Sequence, residues 1–277
     1  YYTSAAELIN DPEVNAIYVA TPPNTHEAFT LAAMAARKPV YVEKPMALNQ
    51  QEAYNMMQFS RQSGIKLCIA HYRRQQPYFK KAKEILQSGT LGTIMNVSLK
   101  FYRQPLDAQQ ISQPKTQWRL QPSISGGGLF HDLAPHQLDL LLYFFGKPLA
   151  ATGFASRHSR LYNADDTVSG HAVFENNIHF TGNWCFSVSE GEDTDECVIL
   201  GSKGSIKLSV FNQQQLIINT NGDEQTIVFN ALPHVQQPMI AAVVQYFLGN
   251  GKNPCDAEQG YEVMKLIDAF TRKNSGA

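Results

Sequence analysis

The chain has 277 residues, 23 Lys and Arg against 24 Asp and Glu for a formal net charge of −1, and 43% hydrophobic residues. This is enough material for one large or two ordinary domains, each with a buried core. A near-zero charge without a long basic run excludes a surface built for nucleic acid or an anionic membrane, and no apolar stretch approaches the roughly 18–20 residues that cross a bilayer. The richest, residues 138–145, is short and interrupted by Asp139.

In chain order, Tyr1-Tyr2 leads directly into a helix with Thr3 or Ser4 as its N-cap. There is no initiator Met and no charged-then-apolar leader, so a start in mid-rhythm reads as a piece of a longer protein. Residues 16–20, 39–42 and 66–70, the last opened by Lys66, are short apolar runs, separated by helical patterns over 25–36 and 50–63, the second stopped by Gly64. Such runs without polar alternation, spaced by helices, predict βαβ units and a parallel sheet covered on both faces.

From Met95 the rhythm changes. Met95, Val97, Leu99 and Phe101 alternate with Asn96, Ser98 and Lys100, and the same style returns at 178–186, 206–210, 216–218 and 226–229. Period-two alternation predicts strands of an antiparallel or mixed sheet with one open face. Residues 104–125 read as a long loop, and helices over 238–248 and 258–270 close the chain. Cys68, Cys185, Cys197 and Cys255 are scattered without a C-x-x-C pair, so they read as reduced thiols and the protein as cytoplasmic.

Ligands of a parallel sheet bind beyond the carboxyl ends of its strands. There the three runs end in Thr21-Pro22-Pro23-Asn24-Thr25-His26, in Glu43-Lys44-Pro45 and in His71-Tyr72-Arg73-Arg74. Asn24 with Glu27 fits a capping pattern that would offer helix-start amides to phosphate or ribose oxygens. Lys44 at a strand end is partly desolvated and suited to a ligand oxygen; taken alone, a solvent-facing lysine paired with Glu43 reads as well. Further on, Ser125 and three glycines open an apolar helix that ends at Gly146. Asp132 and His136 are four residues apart and share one helical face, although Pro135 requires a kink or a first-turn position. A carboxylate beside a histidine suits proton exchange near neutral pH; the plain alternative is a cap and a core histidine. The remaining histidines lack ligand spacing, and no metal site is expected.

These segments, with Trp118-Arg119 and the D-x-x-x-H spacing of Asp132 and His136, resemble in their order the Gfo/Idh/MocA oxidoreductases, relatives of glucose–fructose oxidoreductase and inositol dehydrogenase. The similarity extends over essentially the whole chain. It implies an α/β protein in which residues 1–73 are the C-terminal part of a Rossmann dinucleotide-binding domain, a doubly wound parallel sheet. Residues 74–277 would form a substrate-binding and oligomerisation α/β domain with a large open-faced, mostly antiparallel sheet. The implied activity is hydride transfer between NAD or NADP and a secondary alcohol or ketone of a sugar, cyclitol or related polyol, in a homodimer or homotetramer built through the open sheet. Lys44, Asp132 and His136 fall on the family's catalytic positions, and Thr21, Pro22, Pro23, Asn24, His26, Glu43, Lys44, Trp118 and Arg119 on its cofactor positions. Lys44, Tyr72, Arg73, Asp132 and His136 would face substrate, and the family often has a cis bond before the proline of its E-K-P.

Two departures are visible. The family's opening strand with its glycine-rich phosphate turn is expected about sixty residues upstream of Tyr1; without it, dinucleotide affinity would be impaired. Ala134-Pro135 replaces the small Gly-containing pair common after the motif Asp. Which of Lys44 and His136 moves the proton stays open, as does whether Asp132 orients His136 or grips a substrate hydroxyl. The rival reading is a non-catalytic sugar- or dinucleotide-sensing protein on the same fold. For specificity, residues 104–125 with Arg103, Arg157, Tyr162 and Asp166 are the candidates to contact hydroxyls.

Overall fold

A computed structural model describes residues 1–271; the last residues of the expected second domain, 272–277, lie outside the described residues. The chain begins with α1 (Ala5–Asn10), where Ser4 Oγ accepts the Ala6 amide at 3.2 Å, so of the two candidate caps the serine is used. There follow β1 (Ile17–Val19), α2 (His26–Ala35), β2 (Val40–Val42), α3 (Gln50–Ser63) and β3 (Leu67–Ile69). The three strands form a parallel sheet in the order β1-β2-β3, with Ile17 beside Val40 and Val40 beside Leu67. Every residue of β2 and β3 is buried, which is why their sequence shows no alternation. Asn49 caps α3 by accepting the Glu52 amide at 3.0 Å, and Gly64 ends it at φ +69°, where a side chain would be strained.

One local expectation fails. Asn24 does not cap α2: after Pro22, residues Pro23–Thr25 make a 3-10 turn, and α2 starts at His26 behind Thr25, with no side-chain cap. Glu27 instead accepts from the Asn55 side chain of α3 at 2.8 Å.

After a second 3-10 turn, Tyr72–Gln75, come α4 (Pro77–Gln87) and β4 (Ile94–Tyr102). Residues 104–125, expected as a loop, contain α5 (Ala108–Ser112), α6 (Pro114–Gln117), the 3-10 turn Trp118–Leu120 and α7 (Pro122–Ser125). Each helix is too short to show a hydrophobic period, but each carries a start signal: a reciprocal cap between Asp107 and Gln110, then Pro114 and Pro122 in first turns. The long α8 (Leu129–Phe145) precedes β5 (Pro148–Ser156), β6 (Thr167–Phe174), β7 (Ile178–Cys185), β8 (Thr194–Gly201), β9 (Gly204–Leu208), β10 (Gln215–Thr220) and β11 (Asp223–Val228). The described chain closes with α9 (Gln237–Phe247) and α10 (Ala257–Thr271).

The second sheet has eight strands in the order β11-β10-β9-β8-β4-β7-β6-β5, antiparallel except for the β4–β7 pair. Val97, Leu99 and Phe101 of β4 point into the core as expected. Met95 does not: the register shifts between Ile94 and Asn96, and Met95 is left exposed, as a bulge re-aims the residue it contains. On the outward face His171 and His179 stack with ring centroids 5.7 Å apart.

Two contacts tie helices to the rest of the fold. Trp184 of β7 is fully buried and donates Nε1–H to Gln137 of α8 at 2.6 Å, satisfying a polar atom that burial would otherwise strand. α10 packs on α3, α8, β5 and β6. Gly170 of β6 allows this approach, because a Cβ there would stand 2.5 Å from the Phe270 ring.

Candidate active site

The carboxyl ends of β1, β2 and β3 deliver Thr21, Glu43-Lys44 and His71-Tyr72 to one edge of the parallel sheet. His26 ties two of these ends together: Nε2 lies 2.7 Å from the Thr21 carbonyl and Nδ1 2.9 Å from that of Pro45, and the ring is buried. The Lys44–Pro45 bond is cis. Pro23 is buried, Pro22 half-buried, and Thr21 and Asn24 exposed.

Lys44 does not pair with Glu43. Its ammonium donates to the Asp132 carboxylate at 2.7 Å and to the Asp132 backbone carbonyl at 2.8 Å, with side chains only 13% and 18% exposed. The other carboxylate oxygen accepts Arg119 Nε at 3.1 Å. One anion is thus held between two cations, one from the end of β2 and one from the segment that precedes α8. Trp118 lies under the Arg119 guanidinium, 4.3 Å from ring centroid to carbon. Glu43 is engaged elsewhere: it accepts from the Tyr18 hydroxyl and from Gln236 Nε2 at 3.2 Å.

His136 stands one turn beyond Asp132 on α8, the helix that Gly126–Gly128 introduces. Gly127 is required there, since a Cβ would collide with the His131 ring. Pro135 sits inside α8 rather than in its first turn. No hydrogen bond joins Asp132 to His136 among the described residues. The imidazole is instead wedged edge-on between Tyr72, 5.2 Å away, and Phe211, 5.7 Å away. Burial, then the nearby charges of Lys44 and Arg73, hold its pKa well below the usual histidine value, so the ring is neutral near pH 7. Nδ1 is sealed from solvent without a partner.

Tyr72 therefore borders His136, and Arg73 donates to the Val210 carbonyl at 2.6 Å with its guanidinium 4.5 Å over Phe211. Arg73, Tyr78, Phe211 and Phe229 line a cavity of about 270 Å³, whose walls do not include Lys44, Asp132 or His136. The specificity candidates each have partners within the chain. The Asp166 carboxylate accepts the His158 and Ser159 amides and the Thr167 hydroxyl, so it staples a loop. Tyr162 is buried with Leu120 and Ala164, Arg157 donates to Asn163, and Arg103 donates to the Tyr102 carbonyl. Sequence reading also missed Tyr18 and Gln236 beside Glu43 and the buried Asp139 beside His71; only Asp139, as an acid interrupting an apolar run, left a signal.

Comparison with known proteins follows the same division of the chain. A family model described as an oxidoreductase family with an NAD-binding Rossmann fold matches residues 1–71, and one described as the GFO/IDH/MocA C-terminal domain matches residues 79–207. An oxidoreductase of Formosa agariphila is 38% identical over 268 residues, covering 97% of this chain and 82% of the relative. A 1,5-anhydro-D-fructose reductase of Ensifer adhaerens is 26% identical over 265 residues, covering 93% and 77%. In three dimensions, a levoglucosan dehydrogenase solved with NADH and levoglucosan superimposes with a TM-score of 0.84 at 22% identity, over 97% of this chain and 80% of that one, a likeness of fold.

Proposed function

The chain belongs to the GFO/IDH/MocA oxidoreductase family, and on that premise we propose that Lys44, Asp132 and His136 form the centre of an NAD(P)-dependent enzyme acting on a secondary alcohol or ketone of a sugar or polyol. The observation that carries the reading is the convergence of a strand-end lysine with an aspartate and a buried neutral histidine from α8. Residues 1–73 are taken as the cofactor-binding part and 74–277 as the substrate-binding part.

The strand ends suit a dinucleotide. Thr21 and Asn24 present exposed hydroxyl and amide groups, Glu43 lies with them, and Trp118 and Arg119 stand across from Lys44 beyond Asp132. The bound nicotinamide supplies the hydride acceptor or donor. Everything else falls to the protein. The Lys44 ammonium, held in place by Asp132, sets a positive charge beside the oxygen that develops negative character. His136, kept neutral by burial and neighbouring cations, accepts the hydroxyl proton during oxidation and returns it during reduction. Asp132 has no hydrogen bond to His136, so its role is to fix Lys44 and to grip a substrate hydroxyl. Tyr72 walls the imidazole.

We place a contact between copies on the outward face of the eight-stranded sheet, where Phe154 is 67% exposed. No described helix is long and apolar enough to cross a membrane, and the cysteines are free, which supports a cytoplasmic enzyme.

The test is a spectrophotometric panel of sugars and polyols with NAD and with NADP. Turnover of at least one, abolished in the Lys44→Met variant, is expected; binding of a sugar or cofactor with no redox chemistry across the panel would favour a sensor instead.

A further inference from the structure

Three residues past His136 on α8 lies Asp139, on the same side of the helix and 1% exposed. Its carboxylate accepts Arg74 Nε at 3.1 Å and Arg74 Nη2 in a two-point pair, and the Cys255 thiol at 3.9 Å. His71, the second residue after β3, is fully buried with Nδ1 3.9 Å from Asp139 Oδ1. His71 also lies near enough to His136 that a charge on one disfavours a charge on the other.

Three nitrogens here are sealed without a hydrogen-bond partner: His71 Nδ1, His71 Nε2 and His136 Nδ1. A buried polar atom left unpaired costs about 1–3 kcal/mol, and native interiors pair such groups, with ordered water where necessary. Burial pushes the His71 pKa down to about 4, so near pH 7 this ring carries one N–H and one lone pair. The groups facing it are Asp139, Arg74, Lys44 and Glu43; those facing His136 are Lys44, Arg73 and His71. Of the two acids facing His71, Asp139 is the one that, among the described residues, brings a carboxylate oxygen within 3.9 Å of a His71 nitrogen, and a carboxylate accepts. A His71 proton on Nδ1 therefore points to Asp139 and leaves Nε2 as an acceptor. The sealed His136 Nδ1 is the complementary donor.

We propose that His71 and Asp139 are positioning residues for His136: Asp139 accepts from His71 Nδ1–H, and His71 Nε2 from His136 Nδ1–H, each directly or through one water. This chain holds His136 in one tautomer, with the lone pair on Nε2. During oxidation the substrate O–H bond breaks and its proton binds that lone pair, while the proton on Nδ1 stays where it is. The role assigned to His136 rests on the function proposed above; its tautomer does not.

The test is long-range 1H–15N spectroscopy of the histidine-labelled protein at pH 7 without substrate, combined with steady-state kinetics. The wild-type protein is expected to show His136 protonated on Nδ1. In His71→Phe that preference is lost and kcat falls roughly tenfold or more with KM little changed, whereas in His71→Gln, which keeps an acceptor, both recover in part. An Nε2–H tautomer in the wild-type protein overturns the proposal, as does an unchanged tautomer in a folded His71→Phe protein. If His71→Phe does not fold, the wild-type and His71→Gln spectra decide. An Nδ1–H His136 in a protein that turns over no sugar would support the positioning chain while counting against the function proposed above.

Discussion

Lys44 Nζ lies 2.7 Å from Asp132 Oδ1, across 88 positions of sequence. The contact joins the end of β2 to the first turn of α8, and so brings the two candidate clusters of the sequence to one place. The charge this lysine offers is held largely out of water. Lys44→Met and His136→Ala are each expected to lower turnover at least about a hundredfold, the scale of an oxyanion partner or a general base. Dinucleotide affinity, read by quenching of tryptophan fluorescence, should change far less than kcat. A variant that kept near-wild-type turnover would remove that residue from the mechanism.

Arg119 shares Asp132 with Lys44 but is one-third exposed, so solvent screens its contribution. Arg119→Met is expected to leave stability within about 1 kcal/mol and to reduce turnover well short of the Lys44→Met loss. Equal losses in the two variants would mean that both cations, not Lys44 alone, act on the reacting oxygen.

The Arg74–Asp139 pair is buried on both sides. Removing one partner leaves an uncompensated charge in the core, so Asp139→Asn and Arg74→Met should each destabilise the protein by about 3–5 kcal/mol in urea denaturation. The double variant, Arg74→Met with Asp139→Leu, should recover much of that loss while turnover stays low. Mild single-variant effects would show that water reaches the pair.

Buried histidines make stability depend on pH. The pKa values of His71 and His131 are each pushed down to about 4, and that of His136 well below its usual value, in every case chiefly by burial. Between about pH 4 and 6.5 the unfolded chain binds protons that the folded chain refuses, so unfolding free energy rises with pH through this window and levels off above it. Each histidine contributes a slope of up to about 1.4 kcal/mol per pH unit. Denaturation at pH 5 and pH 7 should show markedly lower stability at pH 5, with a shallower dependence in His131→Gln; equal stabilities at the two pH values would mean these rings are not buried in solution.

Gly170 lies beneath Phe270 with no room for a Cβ. Gly170→Ala should cost about 1–3 kcal/mol through overpacking, and Phe270→Leu in the same chain should restore part of it. A neutral Gly170→Ala would place α10 farther from β6 than described.

Strands that failed to announce themselves have a common cause. β6 turns Val168, Gly170, Ala172 and Phe174 inward, but glycine and alanine fill that face because Phe270 supplies the missing volume, so its alternation is diluted. β5 is an edge strand of small residues, mostly exposed or half-buried. β8 carries Asp195 and Glu196 at its start, and the Asp195 carboxylate is spent on the Val210, Phe211 and Asn212 amides of another segment.

Sequence alone determined what depends on neighbours along the chain: the fully apolar strands of a covered parallel sheet, a helix start capped at Thr3 or Ser4, the stop at Gly64, and the placing of Asp132 and His136 on one helical face. These follow from local sterics and from a burial period that each element carries in itself. Tertiary structure alone decided the partners. That Lys44 meets Asp132 rather than Glu43, and that His71 is sealed beside Asp139, are relations between elements distant in sequence. Periodicity records only that a residue is buried; what lies against it depends on how sheets and helices pack, and no local pattern encodes that.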